Sequence, residues 1–470
     1  MRKKGKRQLA IIPVITCLFL LTCLFTYLIL QGNMQDWISF MGGEASMALF
    51  GLYSVAGIAG IAATLLLKKE ANIFEAPRKL LTITFIASII IGLGVFTCLN
   101  FTTTEANYDW MHDGLLYRQM GQSWLINREF IVDGLYTHHF GPLYPIYLSL
   151  FYAVLPVHLG TQIAVEIIFS LSIATVFIVT KKLYDTIPAL ISTAFVVTNP
   201  TFLFTTSRNY SEPLVLILYT LTIFFILESL KPEKSNRIVL AGLFAAFGFL
   251  TKSGLGYFFI ITGCAGFLWR FYYMKWRVFK NRNYLAAIAV FLTLVLAWTA
   301  RNLALFWDGT FSGFFSAAQP SIYLNDAIVH SVMKDLGSFM IEFWFFATLS
   351  VLFLVPYLLI LSPYVRKALS NIRDERISCI LLAIILPIII GLVMGAAIFI
   401  YENEWMPDYW ITYYPVSQVH YLTSTLIRYL FIAIVPLSWL AYEVARKPEA
   451  SRHEGSRNEQ TLKSKYSLDY

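Results

Sequence analysis

Long apolar runs alternate with short polar connectors along almost the whole chain. A helix that spans the ~30 Å hydrocarbon of a bilayer needs about 20 apolar residues. Runs near that length are Leu9–Leu30, Ala45–Leu67, Leu80–Leu99, Gln162–Thr180, Ile187–Phe204, Pro213–Leu230, Ile238–Thr251, Gly254–Phe271, Tyr284–Leu303, Ser338–Leu361, Ser378–Ile400 and Thr425–Tyr442. By this criterion there are roughly twelve spans. The pattern predicts an all-α polytopic membrane protein. Residues 1–79 hold the first two runs, residues 80–445 the main helical body with a first loop at 101–160, and residues 446–470 a polar, charged tail that reads as disordered.

One apolar run, Leu143–Val154, is short for a span and is bracketed by Pro142, Pro145 and Pro156. Parity decides its place. If the N-terminus is cytoplasmic and this run does not cross, every strongly basic connector falls inside: Lys68-Lys69 to Arg78-Lys79, Lys181-Lys182, Lys231 to Arg237, Arg270 to Arg282, Arg366 to Arg376, and the tail from Arg446. If it crosses, all but the first fall outside. Cytoplasmic loops carry the excess of Lys and Arg. The run is therefore expected as a re-entrant or interfacial helix on the outer face, with both termini cytoplasmic.

Composition agrees. The chain has 470 residues, 57% hydrophobic and 16% aromatic, with 14% charged. Its mean hydropathy is +0.64. Soluble domains carry roughly 25% charged residues. The net charge of +8 would raise nucleic-acid binding in a soluble protein. Here the cations sit in connectors and tails, as the positive-inside rule requires, and no nucleic acid is expected. Cys17, Cys23, Cys98, Cys264 and Cys379 all lie in or at the ends of apolar runs, so no disulfide framework is expected. The start M-R-K-K-G-K-R followed by Leu9–Leu30 resembles a signal peptide, but the run is long and lacks a small-residue cleavage site, so a retained helix is expected.

The parity argument gathers a set of polar residues on one face. Asp109 and Asp113, at i and i+4, follow the run that ends at Leu99. So spaced, two carboxylates share a helix face and can hold a cation or divide base and positioning roles. In S-R-N-Y-S-E-P-L, Arg208 and Glu212 stand where a helix begins, with Ser211 as the expected cap and Pro213 in the first turn. Lys252, in L-T-K-S-G between two apolar runs, should snorkel or pair with an anion. Arg301, in W-T-A-R-N, lies at the end of its helix; His420, Arg428 and Tyr429 lie at the start of the last one. Taken jointly, cations beside acids, against the positive-inside trend, point to a bound anion such as phosphate. The outer loops also hold Phe311, Phe314, Phe315, Tyr323, Trp405, Tyr409, Trp410, Tyr413 and Tyr414, which suit either an interfacial aromatic belt or a sugar- and lipid-capping surface.

In this order the pieces resemble the GT-C superfamily of membrane glycosyltransferases, which includes protein O-mannosyltransferases, aminoarabinose transferases and the catalytic subunit of oligosaccharyltransferase. Y-D-W-M-H-D-G-L-L-Y resembles the acidic first-loop motif and G-P-L-Y-P-I-Y the amphipathic segment after it. S-R-N-Y-S-E, G-F-L-T-K-S-G, W-T-A-R-N and I-R-Y-L follow as the family's later elements. Two departures are visible. Two extra helices precede the acidic motif, and its acids are split as Asp109 and Asp113; Asp113, followed by Gly114 and Tyr117, is the better match.

The resemblance implies an inverting transfer of one sugar from a polyprenyl-phosphate carrier to a lipid, glycan or protein acceptor on the outer face. Asp113, with Asp109, would be the base and Glu212 a further catalytic residue. Lys252, Arg301 and Arg428 would meet the phosphate, and Arg208, Tyr117, Tyr144, His420 and Tyr429 the substrates. Participation of Mg or Mn stays open, as does which aspartate is the base. The implied location is the plasma membrane of a prokaryote. The competing classes are a lipid or glycan flippase and an inactive GT-C-like assembly subunit. A transporter predicts mid-helix ionisable residues and internal repeats; here charges sit mostly at helix ends and no repeat is found.

Overall fold

Apolar runs become helices because a backbone in lipid must satisfy its own hydrogen bonds. The computed structural model describes residues 86, 89–90, 113–132, 135–136, 141–197, 199, 202, 205–206, 209–306, 368–405 and 431–444. The runs Leu9–Leu30, Ala45–Leu67 and Ser338–Leu361, nearly all of Leu80–Leu99, and the aromatic residues 311–323 and 409–414 lie outside the described residues.

Helix α1 spans Asp113–Asn127. A two-stranded hairpin follows, with β1 (Ile131–Val132) antiparallel to β2 (Leu135–Tyr136), Ile131 facing Tyr136 and Val132 facing Leu135. Then come α2 (Leu143–Tyr152), α3 (Val157–Leu183), α4 (Thr186–Val197) and α5 (Glu212–Ser229). The chain continues through α6 (Arg237–Phe249), α7 (Ser253–Met274), a 3-10 segment Lys275–Lys280, and α8 (Arg282–Phe306). Helix α9 (Glu375–Trp405) carries Pro387 inside it, and α10 (Ile434–Val444) closes the described set. Among the described residues four helices are long and apolar enough to cross a membrane: Val157–Leu183, Glu212–Ser229, Arg282–Phe306 and Glu375–Val393. The all-α polytopic reading holds.

Ten residues of α2 rise about 15 Å, half of what a bilayer requires. Its first residue, Leu143, donates its N–H to the Leu250 carbonyl at 2.9 Å, just before Lys252. Its last, Tyr152, shares a hydrogen bond with Thr161 near the start of α3 at 2.9 Å. Helix α2 is thus held between the C-terminal end of α6 and the first turns of α3, and at ten residues it is shorter than a membrane span. The approach to Leu250 is close enough to require Gly141, where an added Cβ would stand 2.2 Å from the Leu250 oxygen.

The expected span Ile187–Phe204 is broken. Asn199 Oδ1 accepts the Phe202 N–H at 3.1 Å, an N-cap contact that starts a new helical turn immediately before Pro200 in the sequence. That stretch ends in a Schellman turn. The Tyr210 N–H reaches the Thr205 carbonyl and the Asn209 N–H the Thr206 carbonyl, both at 3.2 Å, with Asn209 at φ 57°.

Helix α5 is the hub. It packs on α3, α6 and α9, and α6 packs in turn on α7 and α8. Buried polar side chains pin these contacts, as expected where no hydrophobic force drives apolar helices together in lipid. Tyr219 donates to the Ala383 carbonyl at 2.7 Å, joining α5 to α9. Trp439 Nε1 donates to Thr180 at 2.7 Å and Ser438 bonds Ser192 at 2.6 Å, fixing α10 against α3 and α4. The basic connectors meet at the end of the bundle away from α2: Asn283 Nδ2 donates to Ser235 Oγ at 3.0 Å and the Tyr273 hydroxyl to the Arg373 carbonyl at 3.3 Å.

Candidate active site

Four segments far apart in sequence converge at the N-terminal end of α5. The stretch N-Y-S-E-P enters this helix with Ser211 at the N-cap position and Pro213 in the first turn. The expected capping role of Ser211 is not realised: its side chain makes no cap hydrogen bond. Instead its Oγ lies 2.9 Å from the Tyr117 hydroxyl of α1, both groups buried. The reason is geometric. Ser211 has helical φ and ψ of −80° and −7°, whereas a capping side chain needs an extended backbone to fold back on the N2 or N3 amide.

Asn209 ties the neighbouring contacts together. Its Oδ1 accepts from the Tyr144 hydroxyl of α2 at 2.8 Å, and its Nδ2 donates to the Gly114 carbonyl of α1 at 3.0 Å. The left-handed backbone at Asn209 aims the amide at both partners. Asparagine tolerates that conformation better than most side chains. Tyr144 and Tyr117 meet edge to face with ring centres 5.0 Å apart. Burial, and then the phenols of Tyr147, Tyr152 and Tyr117 and the Glu212 carboxylate, hold the Tyr144 phenol well above its ordinary range. It is a neutral donor at any physiological pH.

Glu212 and Lys252 form the charged centre. Lys252 Nζ lies 2.6 Å from Glu212 Oε1, with the side chains 7% and 0% exposed. The ammonium also lies 6.0 Å from the centre of the Tyr210 ring. Lys252 precedes α7 with an extended φ of −145°, which turns the chain between α6 and α7 beside the N-terminus of α5. A carboxylate in the first turn of a helix is favoured by the helix dipole. Two charges this deep persist only as a pair. The expectation that Lys252 would pair with an anion is met within the chain, by Glu212.

Among the other predicted site residues, Asp113 is the first residue of α1, next to the Gly114 carbonyl that Asn209 holds. Its carboxylate, and Asp109, Arg208, His420, Arg428 and Tyr429, lie outside the described residues. Arg301 sits in a separate aromatic nest. Its guanidinium lies 4.8 Å from the Trp298 ring centre, 5.7 Å from Phe130 and 5.8 Å from Phe306, and it donates to Asn302 Oδ1 at 2.9 Å. Phe130 stacks on Trp124 at 4.8 Å, so this nest adjoins α1 about 10 Å beyond Tyr117. Among the described residues no three His, Cys, Asp or Glu side chains gather to hold a metal. Sequence reasoning missed Asn209 and Gly141. The signal for Asn209 was an asparagine between two helical patterns, the usual place of a left-handed C′ residue.

The family model for dolichyl-phosphate-mannose-protein mannosyltransferases matches residues 139–300. That segment contains Gly141, Tyr144, Asn209, Glu212 and Lys252, so it covers three of the four converging segments. No curated protein matches the chain. Among solved structures, ArnT from Cupriavidus metallidurans in the apo state shares 13% identity at a TM-score of 0.36, covering 77% of each chain. The same protein bound to undecaprenyl phosphate shares 10% at 0.37, again over 77% of each. The archaeal oligosaccharyltransferase AglB from Archaeoglobus fulgidus, in complex with an inhibitory peptide and a dolichol-phosphate, shares 14% at 0.37, covering 80% of this chain and 51% of that one. The matched segment is the part of the chain that builds the Glu212–Lys252 centre.

Proposed function

We propose that this protein is an inverting glycosyltransferase that moves one sugar from a polyprenyl-phosphate carrier to a hydroxyl acceptor. The observation that carries the reading is the convergence on α5 of the acidic-motif helix α1, the G-P-L-Y-P segment, the N-Y-S-E stretch and Lys252. The mannosyltransferase match to residues 139–300 supports the donor class. The acceptor oxygen attacks the anomeric carbon opposite the phosphate, the carbon–phosphate oxygen bond breaks, and configuration inverts. Asp113, with Asp109, takes the acceptor proton. The leaving phosphate gains negative charge, for which Lys252 and Arg428 supply fixed cations, while Arg301 stays in its aromatic nest further along α1. Glu212 keeps Lys252 charged in its buried position and orients it. Arg208, Tyr117, Tyr144, His420 and Tyr429 border the sugar and acceptor. The site opens to the outer face of a prokaryotic plasma membrane, with both termini cytoplasmic.

The test uses purified protein in nanodiscs with a panel of polyprenyl-phosphate sugars, with and without Mg or Mn. Wild type and Asp113→Asn are expected to bind the same donor. Turnover is expected to fall by about 10²–10⁴ in Asp113→Asn, the usual worth of a general base, and donor binding to be lost in Arg428→Ala. Unchanged turnover in Asp113→Asn removes that residue as the base. Absence of binding to every donor moves the assignment to a flippase or an assembly subunit.

A further inference from the structure

Three connectors meet at the end of α5 opposite Glu212, and four basic side chains at this end have carboxylate partners. Lys231 and Lys234 pair with Glu228, Arg270 with Glu375, and Arg376 with Glu443. The connector K-W-R-V-F-K-N-R, residues 275–282, is different. It carries Lys275, Arg277, Lys280 and Arg282 and no acid. Lys275, Lys280 and Arg282 are exposed, and no carboxylate among the described residues pairs with them.

Between these cations stand exposed aromatic rings. Trp276 is 72% exposed, Tyr272 67% and Phe279 45%, while Val278 is buried and anchors the turn. The rings hold one another: Trp276 packs on Phe271 and on Phe279 with centres 5.5 Å apart in each case, and Phe267 lies 5.6 Å from Phe279. The Lys275 ammonium sits 4.9 Å from the Tyr272 ring centre. The result is a preformed apolar wedge ringed by uncompensated positive charge, between α7 and the membrane-length helix α8. Rings of this kind suit the headgroup level of a bilayer. Clustered cations beside them attract anionic headgroups, and zwitterionic ones bring no net charge to match.

We propose that residues 275–282 are a binding surface for anionic phospholipid headgroups. Trp276 and Phe279 enter the glycerol and upper acyl region, and Lys275, Lys280 and Arg282 meet the headgroup phosphates. The adjoining Lys231 and Lys234 contribute little, because both ammoniums are held against the Glu228 carboxylate.

The experiment delipidates the full chain from nanodiscs of phosphatidylcholine mixed with phosphatidylglycerol and reads the retained lipids by native mass spectrometry. Wild type is expected to retain phosphatidylglycerol over phosphatidylcholine. The triple variant Lys275→Gln/Lys280→Gln/Arg282→Gln is expected to lose that preference by on the order of a hundredfold, the factor that three basic groups near an anionic surface supply. The double variant Lys231→Gln/Lys234→Gln is expected to keep it. Retained preference in the triple variant, equal loss in the double variant, or displacement of the lipid by inorganic phosphate alone would overturn the proposal. Should the triple variant melt earlier than wild type in pure phosphatidylcholine, the single exposed change Lys280→Glu provides the same reading, with a smaller loss expected and an unchanged preference counting against.

Discussion

At one end of α5, Glu212 meets Lys252 at 2.6 Å with both side chains shut off from solvent. At the other end, sixteen residues and about 24 Å away, Glu228 meets Lys234 at 2.5 Å and Lys231 at 3.2 Å, and these lysines are 37% and 44% exposed. The ion chemistry is the same and both carboxylates are buried; the surroundings of the lysines are opposite. The exposed cluster sits in a short 3-10 connector, where water screens the charges and an alternative geometry is always close. The buried pair has no alternative: an unpaired charge there would have to neutralise or leave. The first cluster decorates an end of the helix, whereas the second dictates how α5, α6 and α7 meet.

Breaking the buried pair is expected to have the largest effect. Lys252→Met leaves Glu212 without its cation and should destabilise the protein by about 3–5 kcal/mol, read as thermal unfolding in detergent. Adding Glu212→Gln to the same chain should recover much of that loss. A single variant that melts like wild type would mean that the pair does not hold the two elements together.

Asn209 comes next. Asn209→Gly keeps the left-handed backbone and removes two buried hydrogen bonds, for an expected loss of about 1–3 kcal/mol. Asn209→Ala removes the same bonds and adds backbone strain at φ 57°, so it should melt lower than the glycine variant by about 1 kcal/mol. Equal melting of the two would show that the side-chain contacts, and not the turn, dominate.

The smallest effect is expected at the exposed end. Lys234→Ala leaves Lys231 beside Glu228 and should change stability by less than about 1 kcal/mol, shrinking further as salt is raised. A loss as large as that of Lys252→Met would erase the distinction between the two ends.

Much of the helical plan was legible from hydropathy. The run Pro213–Leu230 became Glu212–Ser229, and Tyr284–Leu303 became Arg282–Phe306. The run Gln162–Thr180 grew to Val157–Leu183, because a helix continues past the apolar stretch until a residue such as Pro156 ends it. That Leu143–Val154 falls short of a span was also legible, since its length is read directly from the apolar run between Pro142 and Pro156. The break in Ile187–Phe204 was missed because hydropathy gives no weight to an Asn-Pro pair that caps a new turn. Within the candidate site, Glu212 and Lys252 stood out as charged groups beside apolar runs, and Tyr117 and Tyr144 came with the family resemblance. That Glu212 pairs with Lys252, Ser211 with Tyr117 and Asn209 with Tyr144 was not legible.

Composition and periodicity by themselves determined that this is a bundle of apolar helices joined by basic connectors, and that a few polar residues stand against that background. These properties are sums over local residues, and burial in lipid acts on each residue separately. Only the tertiary structure decided that Lys252 faces Glu212, that Ser211 turns from its own helix to Tyr117, and that Asn209 joins Tyr144 to Gly114. Those pairings depend on where separate helices cross, to within the ångström or so that a buried hydrogen bond tolerates, and no periodicity in the chain encodes that distance.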